Sequence, residues 1–208
     1  MDDVRNRRQI AAAETQRVIV EAATRLFIAQ GYQATSVAQI AEQAGVAVQT
    51  LYNSIGIKRD VLSRVLDFAA AGEQAPTPVP AFMQARAEPE NDPRRIIEQL
   101  VEFWRKALAR TAPIFRVMRQ AAALDPEVAE LERRRAEQRL RNYGQAARLL
   151  AQRGGLRPGL GEDEAAAVIF AVGHPDAYRF LVAEQGWTVD RWAAWVRETL
   201  CAALLPPE

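Results

Sequence analysis

Cysteine and histidine are almost missing from this chain of 208 residues, which contains one of each, Cys201 and His174. A single cysteine cannot form a disulfide within the chain, which agrees with a reducing compartment. One cysteine and one histidine also cannot supply a Cys/His zinc cluster. We therefore expect no metal and no cofactor, and Cys201 is interpreted as a small core residue in the last apolar helix.

Serine is also scarce, and no glycine-rich phosphate-binding loop occurs. The three serines are Ser36, Ser54 and Ser63, all in the first third of the chain. This composition offers no set of nucleophile, base and orienting group. The chain is therefore predicted not to be an enzyme.

Long apolar runs are absent as well. No run approaches the roughly 18 apolar residues of a membrane span, and the polar start from Met1 to Arg5 differs from a secretory signal. We expect a cytoplasmic protein without a membrane partner.

Apolar residues recur at helical spacing almost throughout, and no alternating strand pattern appears. The fold is therefore predicted to be all-α. Residues 71–80, which contain three prolines, are predicted to end one helix and form a linker. Helices are expected at 15–30, 58–71, 93–110, a short one from 113, 126–152, 162–185 with a break near Gly173-His174-Pro175, and 189–205.

Residues 31–58 have the spacing of a helix-turn-helix. Ala41 is small enough for two helices to touch, and Gly45, four residues later, suits a turn with positive φ. Val46 and Leu51 are spaced to pack back onto Ile40 and Ala41. A second helix packed in this way points polar side chains outward, as a recognition helix in a major groove does. The candidate base readers are Val48, Gln49, Thr50, Asn53 and Ser54.

These positions, taken together, carry a family resemblance. They are Ala22-Ala23, Leu26-Phe27, Gly31-Tyr32, Thr35-Ser36-Val37, Ile40-Ala41, Ala44-Gly45-Val46, Thr50-Leu51-Tyr52 and Lys58. Over roughly residues 10–60 this pattern resembles the DNA-binding domain of the tetracycline-repressor (TetR) family. A later pattern, Pro175 to Tyr178, Gly186-Trp187 and Trp192 to Trp195, is similar to the last two helices of one branch of that family.

The resemblance implies a division of labour along the chain. Residues 1–60 would be the helix-turn-helix DNA-binding domain, and 61–208 a domain for ligand binding and dimerisation. Tyr52 and Lys58 would contact DNA phosphates, and the helix N-terminus at Thr35 and Ser36 would dock its amides there.

The first twelve residues are expected to form a flexible arm. Its Arg5, Arg7 and Arg8 either enter the minor groove or remain a solvated tail.

Four positions depart from the family pattern. Ala38 replaces a residue that reaches DNA in many members, and Ala47 replaces the usual serine N-cap of the recognition helix. Ile55 and Ile57 replace the usual phenylalanine and serine. A missing cap costs about 1 kcal/mol.

The net charge is close to zero, with 27 basic against 26 acidic residues. Non-specific DNA affinity scales with the number of phosphates neutralised, so we expect two heads to engage DNA together. The alternative function is a helix-turn-helix module that binds another protein without reading DNA.

Broad apolar faces in the last two long helices predict a homodimer with a two-fold four-helix interface. The alternative is that these faces form only the core of one subunit. The candidate interface residues are Ala166, Ile169, Leu181, Trp192, Trp195 and Leu200.

Aromatic and soft side chains on the helices of the body predict a pocket for a largely apolar small molecule. The alternative is an ordinary core, and His174 either caps the helix break or binds a ligand. The candidate lining is Phe103, Trp104, Phe115, Met118, Tyr143, Phe170, His174 and Tyr178.

The resemblance thus implies a ligand-responsive transcriptional regulator, a repressor in preference to an activator. Its dimer would bind a palindromic operator with recognition helices about 34–36 Å apart, and ligand would act by shifting residues 58–71. Whether ligand releases or recruits DNA stays open, as do its identity and the operator sequence.

Overall fold

The computed structural model describes residues 2–72 and 91–207, with side chains from Ile10 onward. These residues form helices and connecting turns without a strand, so the all-α prediction is confirmed. None of the described helices is long and apolar enough to cross a membrane. The helices are α1 Asp2–Ala34, α2 Val37–Ala44, α3 Val48–Ser54, α4 Lys58–Ala71, α5 Pro93–Ala122, α6 Pro126–Gln152, α7 Glu162–Val172, α8 Pro175–Tyr178 with a π-helical continuation Arg179–Glu184, and α9 Val189–Leu204.

The chain divides into two compact units. The head unit comprises Met1–Pro76 and Pro113–Glu132, and the body unit comprises Thr77–Ala112 and Arg133–Glu208. The two later boundaries between the units, after Ala112 and after Glu132, fall inside helices α5 and α6. The bounds of these compact units therefore differ from the predicted functional boundary at residue 60. That boundary stays a prediction.

The core of the head unit is built from the apolar faces of α1 to α4 together with residues of α5 and α6 that belong to this unit. Phe27, Ile40, Leu51 and Leu62 are completely buried in it. α1 is interrupted at Gly31, which has φ 81° and ψ 170°. This break confirms the prediction that Gly31 ends the helical path, because few residues other than glycine adopt a positive φ.

Two helix predictions need correction. α5 runs without interruption from Pro93 to Ala122, although a new helix was predicted at Pro113. Proline lacks an N–H and crowds the preceding turn, but apolar residues on both sides of Pro113 are buried, and this packing maintains the helix. α1 begins at Asp2 instead of residue 15, because no glycine or proline interrupts 2–14.

Two predicted features lie outside the described part of the chain. The side chains of Arg5, Arg7 and Arg8 are among those not described, so their role in an arm stays a prediction. Most of the predicted linker at 71–80 also lies outside it.

The core of the body unit surrounds two tryptophans, Trp104 on α5 and Trp192 on α9. The side chain of Thr188 caps α9 by accepting from the Arg191 amide at 3.1 Å. Burial raises the pKa of the half-buried Cys201 thiol. A thiol held neutral in this way is a poor nucleophile, which agrees with its interpretation as a core residue.

Candidate nucleic-acid interface

The turn between α2 and α3 has the geometry that its sequence predicts. Gly45 adopts φ 68° and ψ 31°, and its amide donates to the carbonyls of Ala41 and Glu42. The Val46 amide donates to the Ala41 oxygen at 3.0 Å. Leu51 is fully buried, so the two short helices share one packed face and α3 turns its other face outward.

The outward face of α3 carries amides and an apolar group. Gln49 and Asn53 are exposed, Thr50 and Ser54 are half-buried, and Val48 is 41% exposed. The Gln49 Nε2 donates to the Asn53 Oδ1 at 2.9 Å, one helical turn away. This bond orders two groups that can each bind a base edge.

The start of α3 has no side-chain cap. Ala47 stands at the N-cap with φ −67° and ψ 146°, and it forms no side-chain hydrogen bond. The sequence predicted this missing cap.

The other end of α3 is bonded to a residue far away in the sequence. Gln16 of α1 donates through Nε2 to the Ser54 oxygen at 2.9 Å, and its Oε1 accepts from Arg64 of α4 at 2.7 Å. Sequence reasoning missed Gln16 and Arg64. Their partners lie 38 and 48 positions away, so no local pattern indicates the contact.

An open polar cleft of about 240 Å³ lies beside this bridge. Its lining comprises Gln16, Ser54, Ile55, Asp60, Ser63, Arg64 and Asp67.

The N-terminus of α2 is closed by a reciprocal pair of hydrogen bonds. Ser36 Oγ accepts from the Gln39 amide at 3.1 Å, and Gln39 Oε1 accepts from the Ser36 amide at 2.8 Å. The amides of Val37 and Ala38 have no acceptor within the helix. Ser36 is therefore the N-cap of α2.

Thr35, the other candidate, is buried. Its Oγ1 donates to the Gly31 oxygen at 2.7 Å, and its amide donates to the Tyr32 oxygen at 3.2 Å. This arrangement favours a packing role for the Thr35 side chain, and its contact with DNA stays a prediction.

Lys58, at the first position of α4, contacts the end of α1. Its Nζ donates to the carbonyl oxygens of Tyr32 and Thr35, each at 3.0 Å, and lies 4.2 Å from the centroid of the Tyr32 ring. Burial lowers the pKa of Lys58, and the carboxylate of Asp125 partly offsets this effect.

The two tyrosines of the head differ in exposure. Tyr52 is 43% exposed on α3, so its hydroxyl is accessible to a phosphate. Tyr32 is buried, and burial, reinforced by the charge of Asp125, raises its pKa to about 12.

The predicted pocket residues are divided between the two units. Phe115 and Met118 pack with the core of the head unit. In the body unit, Trp104, Tyr143, Phe170 and His174 form a chain of edge contacts with centroid distances of 5.6, 6.2 and 5.6 Å. Phe103 packs against the body core, and Tyr178 lies within that core 5.0 Å from Trp192.

His174 has a structural role. Its Nδ1 accepts from the Asp176 amide at 3.2 Å, so it caps the short helix α8 at the break before Pro175. The predicted break and the capping role are both observed.

Most predicted dimer residues are already packed within the subunit. Ala166, Ile169, Trp192 and Leu200 are buried in the body core. Leu181 and Trp195 are half-buried. The exposed residues beside them include Ala167 and Ala171 on α7 and Glu198 and Ala202 on α9.

Comparison with known proteins connects this geometry to a family. Residues 19–65, which span the helix-turn-helix, match the family model of bacterial regulatory proteins, tetR family. No curated protein matches the chain in sequence.

Solved structures resemble the chain over nearly its whole length. NalD of Pseudomonas aeruginosa, the secondary repressor of the MexAB-OprM multidrug efflux pump, is 22% identical with a TM-score of 0.73, covering 95% of this chain and 100% of NalD. The regulator FadR of Bacillus subtilis, in complex with stearoyl-CoA, is 19% identical with a TM-score of 0.71, covering 89% and 97%. A transcriptional regulator of Saccharomonospora viridis, in complex with choline, is 19% identical with a TM-score of 0.68, covering 93% and 99%.

At these identities the structural likeness establishes the all-α fold, and the family model identifies the helix-turn-helix. The family model thus confirms the predicted resemblance to the tetR family of bacterial regulatory proteins over residues 19–65.

Proposed function

We propose that this protein is a transcriptional repressor that binds a palindromic operator as a homodimer and responds to a small molecule bound in its body. The observation that carries the proposal is the outward face of α3, with Gln49 and Asn53 exposed beside the capped start of α2. Both features lie within the residues that match the family model.

In the proposed complex, α3 lies in the major groove. The amides of Gln49 and Asn53 suit the N6 and N7 edge of adenine, and Val48 suits a thymine methyl group. The Tyr52 hydroxyl and the amides at the start of α2 would contact phosphates and set the register.

The proposed dimer uses the exposed sides of α7 and α9. The buried sides already form the subunit core, so a partner subunit would pack on the neighbouring residues, among them Ala171 and Ala202. Two short side chains allow close approach of the helices. A two-fold axis between them would present two copies of α3 to the two halves of a palindrome.

The proposed effector is a largely apolar small molecule. The chain of aromatic edges from Trp104 to His174 offers apolar contact area in the body unit. Related folds bind small molecules, since FadR of Bacillus subtilis was solved with stearoyl-CoA and the Saccharomonospora viridis regulator with choline. To reverse a DNA-competent population from 99:1 to 1:99, the effector must prefer the other state by about 5.5 kcal/mol.

Fluorescence anisotropy tests the proposal by measuring how the protein binds overlapping DNA duplexes, or tiles, from the flanks of its own gene. We expect one near-palindromic tile to bind at least about 10³-fold more tightly than a scrambled duplex at physiological salt. Asn53→Ala should weaken binding to that tile by about 1–3 kcal/mol. An exposed body residue provides the control, and Gln138→Ala should leave the affinity unchanged.

Equal, weak binding to every tile would contradict operator recognition near the gene and would favour the protein-binding alternative. With an operator in hand, compounds that raise the melting temperature should also change operator affinity. Stabilisation without any change in DNA binding would contradict the coupling to an effector.

A further inference from the structure

Lys58 contacts three groups in one short segment of the chain. The carbonyl oxygens of Tyr32 and Thr35 are each 3.0 Å from its Nζ, and the Tyr32 ring lies 4.2 Å from it. All three follow the break at Gly31 and precede Ser36, the N-cap of α2.

The break explains why a cation is needed there. Carbonyls at the end of a helix lack intrahelical donors and carry the negative end of the helix dipole. Besides the bond from Lys58, the Tyr32 oxygen accepts a 3.2 Å bond from the Thr35 amide. A lysine ammonium has three N–H donors, and two of them are engaged by these carbonyls.

We propose that Lys58 is a positioning residue whose ammonium clamps the turn between α1 and α2 before DNA binds and thereby sets where α2 begins. This inference rests on the proposed function for its effect on DNA binding. The clamp itself requires only the head unit, because Thr35 immediately precedes the cap of α2 and Lys58 is the first residue of α4.

The composition of the chain supplies a matched control. Lys106 is the only other lysine; its side chain is 64% exposed, and its Nζ pairs with Glu102 at 3.0 Å on the same helix. Lys58→Met and Lys106→Met remove the same charge and retain an unbranched stem. Only the first removes donors from the α1–α2 turn.

Amide exchange measured by mass spectrometry tests the clamp without DNA. We expect Lys58→Met to accelerate exchange in residues 31–37, while Lys106→Met leaves this segment unchanged. Unchanged exchange in the Lys58 variant would overturn the proposal.

Salt dependence of operator affinity separates a clamp from a phosphate contact. A clamp predicts that Lys58→Met still weakens binding roughly tenfold at high salt, where phosphate contacts contribute least. A phosphate contact predicts a slope reduced by about one for each protomer. A reduced slope with no loss of affinity remaining at high salt would overturn the proposal.

Acetylation rates in the wild-type protein, compared at a pH where both lysine amines are neutral so that accessibility alone sets the rate, decide the question even if Lys58→Met does not fold. The clamped Lys58 should react more slowly than Lys106 before any DNA is added, whereas equal rates would overturn the clamp. If the wild type binds no operator, the proposed function fails, and the exchange and acetylation results still decide the clamp.

Discussion

At the scale of single residues, Gly173 is limited by its contact with Trp104. A Cβ at Gly173 would lie 2.3 Å from two ring carbons of Trp104, a side chain buried in the body core. We expect Gly173→Ala to lower the free energy of unfolding by about 1–3 kcal/mol, because the ring must shift within a packed core. Urea denaturation followed by tryptophan fluorescence measures this loss.

Gly144 provides the control for that substitution. It lies within α6, and a Cβ there would meet no atom within 4 Å. Gly144→Ala should therefore raise the free energy of unfolding by about 0.5–1 kcal/mol through helix propensity. A Gly173→Ala variant as stable as the wild type would contradict the steric constraint.

Tyr32 predicts a dependence of stability on alkaline pH. Its folded pKa is raised to about 12, from an ordinary value of 10, mainly by burial. The folded state therefore retains a proton that the unfolded state loses, so the contribution of Tyr32 is complete below pH 10 and disappears as pH rises towards 12. Tyr32→Phe should flatten the fall in stability over this window.

Ultraviolet absorbance of tyrosinate provides the direct measurement. The difference between the titration curves of the wild type and Tyr32→Phe should have its midpoint near the raised pKa. A midpoint at the ordinary tyrosine value would mean that the Tyr32 hydroxyl is solvated.

Residue-scale predictions succeeded where one local constraint determines the residue type. Gly45 needs a positive φ, and Leu51 has the spacing of a packed helix face, so both are identifiable from sequence. The carbonyl contacts of Lys58 and the bridge through Gln16 were missed. They join positions 23 to 48 residues apart, and only the folded chain brings them together.

At the scale of helices, the uncapped start of α3 is a weak point that one hydroxyl can strengthen. Ala47 already has the extended backbone of an N-cap but offers no acceptor. We expect Ala47→Ser to raise the free energy of unfolding by about 0.5–1 kcal/mol, because serine can accept from an amide of the first turn. Thermal and urea unfolding followed by circular dichroism measure the gain.

The cap of α2 provides the reverse experiment. Ser36→Ala removes the acceptor of the Gln39 amide and should cost about 1 kcal/mol. If Ala47→Ser gave no gain while Ser36→Ala gave a loss, the start of α3 would not accept a side-chain cap.

Helix ends were predictable where capping residues mark them. Lys58–Ala71 and Pro126–Gln152 match the predicted spans, since Asp125 Oδ1 accepts from the Glu127 amide at 2.9 Å and α4 ends at Gly72. Pro113 misled the prediction because a proline ordinarily ends a helix. Packing on both sides of it overrides that local tendency, and local sequence does not encode this packing.

At the scale of the whole molecule, we predict a homodimer with α7 in its interface. Light scattering at micromolar concentration should give twice the 23.1 kDa mass of the chain. Ala171→Arg places a charge on the exposed side of α7 and should lower the mass to that of a monomer. It should also weaken operator binding, because two heads then no longer engage DNA together.

An exposed alanine of the head, Ala12, supplies the matched control. Ala12→Arg adds the same charge outside the body unit and should leave the dimer intact. A monomeric wild-type mass would remove the dimer, and a dimeric Ala171→Arg variant would move the interface away from this side of α7.

The seven residues of α3 limit how much sequence information one subunit can read. At about 1.5 Å per residue the helix is roughly 10 Å long, which corresponds to about three base pairs at roughly 3.4 Å each. Two copies would read about six base pairs, a word expected by chance once in about 4,000 positions, whereas a genome offers about 10⁶ or more competing sites. Unique addressing of one promoter therefore requires information beyond the contacts of α3, such as the stiffness and groove width of the bases between the half-sites.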